Sequence, residues 1–416
     1  MSLQSAALLA LAMILLLFVI AALVETRGAA LARRPALRHR AYTLALGVYC
    51  TSWTFYGAVG SAVREGWSYL PIYAAPMLLL LAAPRFLRRL SEAVHEEQAT
   101  TVSDFIAARF GHDVVVARLV TVIALLGTIP YIALQLRSIG AALSIVSGAD
   151  VAAQAMLVAA PLLALFAILF GARRFELAGR SEGLLYAIGL ESAIKLLALV
   201  AVAGVAVAVL AATPPQRMIE GFSALQSRFE PQGLTLNVAI IFLIAMPAIL
   251  SLPRQFYMGL VEARQPDDLV RARVGLAAYL GTMALVVLPI ALAGLTVLGP
   301  AIAPDVYVLE LPAAEGFGFV LAAALLGGVS AAASMAIVDS TALATMVSND
   351  LVFPTLMRGP ATTESGAIGR RMLTIRRLSI LAILTMGLVW ALLVSAQDSL
   401  ASIGLIAFAA MAQFTP

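Results

Sequence analysis

Eleven apolar stretches, each long enough to cross a bilayer, follow one another along the chain. They fall at about 5–25, 41–62, 67–90, 114–146, 152–171, 182–211, 236–259, 273–298, 317–347, 374–396 and from 400 onward. About 20 apolar residues in a helix span the hydrocarbon core of a membrane. Backbone polar groups at that depth must be satisfied within the protein, so a series of such runs folds as helices. The expectation is an all-α, multi-pass membrane protein. Its 416 residues are 62% hydrophobic and 12% charged, with mean hydropathy +0.98. A soluble domain carries roughly twice that charge. No cleavage site of the secretory type follows the first run, which is itself of spanning length. The last run ends at Phe414-Thr415-Pro416 and reads as a truncated helix.

Basic residues set the orientation. The loop after the first run holds Arg27, Arg33, Arg34, Arg38 and Arg40, and the third run ends in Arg85, Arg88 and Arg89. Later loops on that side carry Arg173, Arg174, Arg180, Arg264, Arg271 and Arg273, then Arg358, Arg370, Arg371, Arg376 and Arg377. The opposite loops carry Arg64, Arg217 and Arg228. The positive-inside rule therefore places the first loop in the cytoplasm and the N-terminus outside. Between the third and fourth runs, 101–111 reads as a short amphipathic helix, with Ser103 as its cap and Gly111 at its end. The segment 213–235, with two prolines near its start, is the main extracytoplasmic feature.

Several function classes drop out. The net charge of +4 comes from arginines at helix ends, not from a soluble basic face for nucleic acid. The single cysteine, Cys50, excludes an internal disulfide. His39, His95 and His112 are read as loop residues and have no ligand spacing, which argues against a structural metal. No phosphate loop, dinucleotide fingerprint or nucleophile elbow is present, so the chain is not read as an enzyme.

The informative residues are polar groups inside the apolar runs. In the second run, Tyr49-Cys50-Thr51-Ser52-Trp53-Thr54-Phe55-Tyr56-Gly57 carries more hydroxyls than a lipid-facing helix can use. The expectation is a break around Tyr49–Ser52, lining a solute site at mid-depth. A packed helix with self-bonded hydroxyls is the alternative. The fourth run places Tyr131 and Gln135 four apart on one face, next to Pro130. They either meet one ligand or bond between helices. The seventh run has Pro247 and Pro253 six apart, with Ser251 and Gln255 nearby, so a continuous helix is improbable. Broken helices at corresponding places in two halves point to a transporter site. The seventh run comes five spans after the second, an odd offset, so the two halves run inverted.

The sixth run holds Glu191 and Lys195, four apart. Lys195 is the only lysine in the chain. Charges at this depth face the protein interior, and a lysine, unlike an arginine, can give up its proton there. The pair is either a static bolt between helices or a coupling element. In the ninth run Ser330, Ser334, Thr341 and Thr345 fall within about 60° on one seam. Asp339 lies about 140° from Ser334 and need not belong to the same site.

The motifs 49–57, 130–136, 170–174, 191–195, 252–256 and 348–351, in this order, resemble the sodium:solute symporter family. The resemblance extends to the membrane domain of CbrA-type sensor histidine kinases. It implies a LeuT-like core of five plus five helices in inverted repeat, preceded by one extra helix. The corresponding division is 1–40 for the extra helix and loop, 41–212 for the first repeat, 213–235 for the outer loop and 236–416 for the second repeat. The family has about thirteen helices, so the resemblance implies two further helices, and in kinase-linked members cytoplasmic signalling modules, beyond the runs in this sequence. The implied localisation is the bacterial cytoplasmic (inner) membrane.

The resemblance also implies a coupling sodium. Gly47 and Cys50 match its carbonyl positions, and Ala331 and Ser334 match a carbonyl and a hydroxyl. Met335 stands where a second hydroxyl belongs, and Tyr49 stands where many members carry an acid. Thioether sulfur is a poor sodium ligand, so a proton on Lys195, tuned by Glu191, is the alternative coupling ion. The implied solute is an amino acid, histidine in particular. The residues expected to hold it are Tyr49, Thr51, Trp53, Tyr56, Tyr131, Gln135, Ser251 and Gln255. The expected function is cation-coupled symport. The alternative is a solute-sensing input domain acting through C-terminal signalling modules and a response regulator. A structural anchor with a dead site is disfavoured by polar clusters in four spans.

Overall fold

The computed structural model describes residues 1–32, 34–172, 180–299, 301–356, 365–393 and 409. Arg33, Arg173, Arg174, Arg358 and the eleventh run, apart from Ala409, lie outside these residues. Helices account for the fold, with no strand among the described residues. Helix α1 covers Leu3–Ala32. The second span is two half-helices, α2 (Pro35–Ala45), extended by a 3₁₀ turn over Leu46–Tyr49, and α3 (Ala58–Glu65), preceded by a π turn over Trp53–Gly57. It therefore begins at Pro35, six residues before the apolar run, because Arg38 is buried at its entry.

The third span is shorter than expected. Helix α4 (Pro71–Ala82) ends at Ala83, and Pro84 starts a separate helix, α5 (Pro84–Glu96). The residue before a proline avoids the helical region, and Ala83 sits at φ −119°, ψ 48°. His95 is in α5 and His39 in α2, so two of the three histidines are helical rather than in loops. Helix α6 (Val102–Arg109) is the expected amphipathic helix, but its cap is Thr101. The Thr101 side chain accepts from Asp104 N at 3.0 Å, whereas Ser103 donates to Asp350 at 2.5 Å.

The remaining spans are long and mostly unbroken. Helix α7 (Val114–Ser147) starts on Asp113, whose carboxylate accepts from Val115 and Val116, and stops at Gly148 with φ +67°. Helix α8 (Ala152–Phe166) closes in a π turn over Ala167–Gly171. Helix α9 (Glu182–Ala212) is capped by Ser181. Helix α10 (Pro215–Gln226) lies in the expected outer loop and packs on α13 (Asp267–Val297).

The seventh span is α11 (Leu236–Ser251), then α12 (Pro253–Phe256) running into a π turn over Tyr257–Val261. Its two parts meet at 45°. After α13 come a short helix, α14 (Tyr307–Ala314), and then α15 (Gly318–Met346), which ends in a π turn over Val347–Val352. The one-turn α16 (Phe353–Leu356) and the long α17 (Ser365–Leu393) follow.

Helix α15 is the centre of the bundle, buried at every position from Gly327 to Met346. It packs on α9, α7 and α17. Small residues allow this approach: a side chain at Gly328 would collide with the Tyr56 hydroxyl. Both broken spans face this helix, so their interrupted backbone meets protein rather than lipid.

Candidate functional site

The break in the second span lies at Cys50–Ser52, inside the interval expected from sequence. Cys50 leaves the helical region at φ −80°, ψ 105°. A broken helix frees backbone groups that must be satisfied at full burial. Side chains of α7 and α9 supply the partners. Ser52 N donates to Gln135 Oε1 at 3.1 Å, and Ser138 Oγ lies 2.9 Å from Ser52 Oγ. Thr51 Oγ1 is 2.8 Å from the Tyr131 hydroxyl and accepts from Trp53 N. The Thr51 carbonyl accepts from Thr54 Oγ1 at 2.8 Å.

The Cys50 carbonyl accepts from Lys195 Nζ at 2.5 Å. Lys195 therefore crosses from α9 to the break instead of pairing with Glu191 one turn away. Both side chains are fully buried, and neither Glu191 carboxylate oxygen has a hydrogen-bond partner. The static Glu191–Lys195 bolt, one of the two sequence readings, is not formed.

The second break lies at Leu252, with φ −59° and ψ 133°. Gln255 Nε2 reaches back to the Leu46 carbonyl at 3.4 Å, joining the two broken spans. Asp339 of α15 caps the restarted helix, accepting from Arg254 N at 3.2 Å and from Arg254 Nη1 at 2.9 Å. This ion pair is almost completely buried. The Arg254 guanidinium also stands 5.1 Å from the Tyr131 ring centroid. Tyr131 thus touches both breaks.

Of the residues expected to hold solute, Thr51, Tyr131, Gln135 and Gln255 come together between the breaks. Ser251 borders the second break, and its hydroxyl has no hydrogen-bond partner. Tyr49 donates to the Ile72 carbonyl at 2.8 Å. Tyr56 packs edge-on to Phe55, with ring centroids 4.9 Å apart, and its hydroxyl is buried against Gly328. Trp53 is buried beside Gly57.

The residues expected to bind sodium have other occupations. Cys50 N donates to the Gly47 carbonyl at 3.0 Å, and the Cys50 carbonyl holds the Lys195 ammonium. The Ser334 hydroxyl is shared between the Ser330 and Ala331 carbonyls, at 3.0 and 3.3 Å. Met335 is fully buried and offers only sulfur. The Gly47 and Cys50 carbonyls that a hard cation would use are thus each already hydrogen-bonded, and sulfur stands at the position of the second hydroxyl.

Arg254 and Asp339 were missed from sequence as site residues. The available signal was a carboxylate and a guanidinium, each alone in a spanning run, which need partners.

Ion pairs latch both ends. At the arginine-rich end Arg38 Nε meets Glu182 at 3.0 Å, and Arg38 Nη2 donates to the Glu262 carbonyl at 3.0 Å. At the other end Arg64 makes a bidentate pair with Asp305, at 2.7 and 3.1 Å.

Two spans interrupted at matching places, packed on common helices and preceded by one extra helix, define the LeuT-like inverted-repeat fold. Among solved structures the chain is similar to a Na+-coupled sialic acid symporter in a substrate-bound outward-open state. The TM-score is 0.69 at 15% identity, covering 97% of this chain and 83% of that one. This likeness is one of fold. No family model matches the sequence, and no curated protein matches it.

Proposed function

We propose that the chain is the transport domain of a secondary active transporter. It takes up a small polar solute, an amino acid such as histidine, by cation-coupled symport. The residues between the breaks, Thr51, Tyr131, Gln135, Ser251 and Gln255, are the solute contacts in this reading. Tyr49, Trp53 and Tyr56 support the walls. The arginine-rich end faces the cytoplasm and the N-terminus lies outside, in a bacterial inner membrane.

The observation that carries the coupling is Lys195 Nζ on the Cys50 carbonyl. The ammonium ties α9 to the broken backbone where a sodium ion would otherwise bind. Loss of its proton weakens that tie, because charge-assisted hydrogen bonds are roughly twice as strong as neutral ones. Glu191, one turn away and without a hydrogen bond, is the nearest acid on the same helix. The coupling ion is then a proton, with sodium as the competing reading.

The test is uptake of labelled L-histidine into proteoliposomes in sodium-free medium under an imposed pH gradient. Uptake that follows the proton gradient and is lost in Lys195→Met supports the reading. Uptake that follows sodium and ignores the proton gradient refutes the coupling role of Lys195. Binding without counterflow would instead favour the solute-sensing reading.

A further inference from the structure

Arg254 is the largest fully buried side chain among the described residues. Only one corner of its guanidinium is used: Nη1 pairs with Asp339 at 2.9 Å. Nε and Nη2 are buried and have no hydrogen-bond partner in the protein. Native proteins satisfy nearly all buried polar groups, and leaving a charged donor unpaired costs more than leaving a neutral one. Two orphaned N–H groups on one buried cation call for an acceptor from outside the chain.

Their geometry specifies that acceptor. The Nε–H and one Nη2–H leave the same edge of the planar group in parallel. That fork matches the two oxygens of a carboxylate. Asp339 fixes the opposite corner, and the Tyr131 ring lies beside the guanidinium at 5.1 Å. Tyr131 in turn bonds Thr51 at the first break. The free edge is thus held in orientation between the two interrupted spans, and the unpartnered Ser251 hydroxyl lies three residues before it. Asp339 pairs with the opposite corner of Arg254, and Glu191, a second buried acid, lies one turn from Lys195 on α9, so neither carboxylate occupies the free edge.

From this we infer that the Nε–Nη2 edge of Arg254 binds the carboxylate of the solute, so that the site takes small carboxylates and rejects their decarboxylated counterparts. The inference rests on the solute-site reading above and names its substrate class.

The experiment is ligand-induced thermal stabilisation of the purified chain in detergent. The probes are matched pairs: L-histidine and histamine, L-phenylalanine and phenethylamine, L-alanine and ethylamine, pyruvate and acetaldehyde. At least one acid should stabilise the wild type, and its partner should fail to do so at a hundredfold higher concentration. Arg254→Lys keeps a cation for Asp339 but lacks the fork, and should weaken the acid at least tenfold. The inference is overturned if a decarboxylated partner binds as well as its acid, if no acid binds, or if Arg254→Lys binds like wild type. The comparison of pairs on the wild type stands even where the variant does not fold. Failure of the transport reading looks different: acids bind selectively, yet the labelled acid does not enter proteoliposomes.

Discussion

Replacing one member of the Arg254–Asp339 pair leaves the other charge buried without a counter-ion. The side chains are 1% and 0% exposed, and the closest atoms are 2.9 Å apart. At an effective dielectric of about 20 and charge centres about 4 Å apart, the attraction is roughly 4 kcal/mol. Breaking such a pair from one side costs about 3–5 kcal/mol. Asp339→Asn is the informative change, because the amide oxygen still accepts from Arg254 N, which Asp339 holds at 3.2 Å. The charge is lost, and with it the hydrogen bond from Arg254 Nη1, because the amide NH2 takes the place of the oxygen that accepted it. Arg254→Met removes the other charge and keeps an apolar stem of similar length. Each single variant should lose about 3–5 kcal/mol, a large share of the typical 5–15 kcal/mol of a folded protein. The double variant should be more stable than either, since no charge is then stranded. The assay is equilibrium unfolding of the purified protein in mixed micelles, read as a double-mutant cycle. A double variant that loses the sum of the two single costs would refute the argument, because the charges would then not be acting on each other.

Other expectations follow from neighbouring contacts. Gln135→Ala strands Ser52 N at the break, a loss of about 1–3 kcal/mol. Uptake should fall at least tenfold with expression within twofold of wild type, whereas a parallel fall in both would make the residue purely structural. Arg64→Ala removes a partly exposed latch worth roughly 0.2–1 kcal/mol. The buried and solitary Cys50 should then react about two- to fivefold faster with a membrane-impermeant maleimide, and an unchanged rate would show that the latch does not gate access. Glu262 lies just beyond the seventh span, and burial pushes its carboxyl up from 4.5 to about 7, against the lowering effect of the Ser181 N–H. Its contribution to stability is full below about pH 4.5 and is lost as pH rises through about 7, a change of at most about 3 kcal/mol. Melting temperatures should fall between pH 5 and pH 8 in the wild type and much less in Glu262→Gln; equal slopes would refute the assignment.

Much of the architecture was legible in the residues. The crowd of hydroxyls at 49–56 and Pro253 announced the two interruptions, because each feature conflicts with a helix in lipid, whereas Pro247 sits inside α11 without breaking it. The overrun of the third span has a local cause: Pro84 ends the helix at Ala83, and the expected run was carried past it through Arg85, Arg88 and Arg89, which belong to the separate helix α5. The Tyr49 hydroxyl bonds the Ile72 carbonyl, a partner the helical spacing did not indicate, because a 3₁₀ turn precedes the break and a π turn follows it. These turns advance by different angles from the 100° per residue of an α-helix, so facing cannot be extrapolated through them. The Glu191–Lys195 spacing permits a pair but does not compel one, and the longer lysine found a freed carbonyl instead. Asp339 was set aside for pointing away from Ser334. That reasoning holds for a helix with one interior face, and α15 is enclosed on all sides, so both directions lead to partners.

Tyr131 offers its hydroxyl to one interrupted span and its ring to the cation of the other. A single phenol on α7 therefore holds both interrupted spans at once. Shaving that hydroxyl off, as in Tyr131→Phe, would free one span from the phenol and leave the ring on Arg254, so the first interruption would hang on α7 by Gln135 and Ser138 while the second kept its cover.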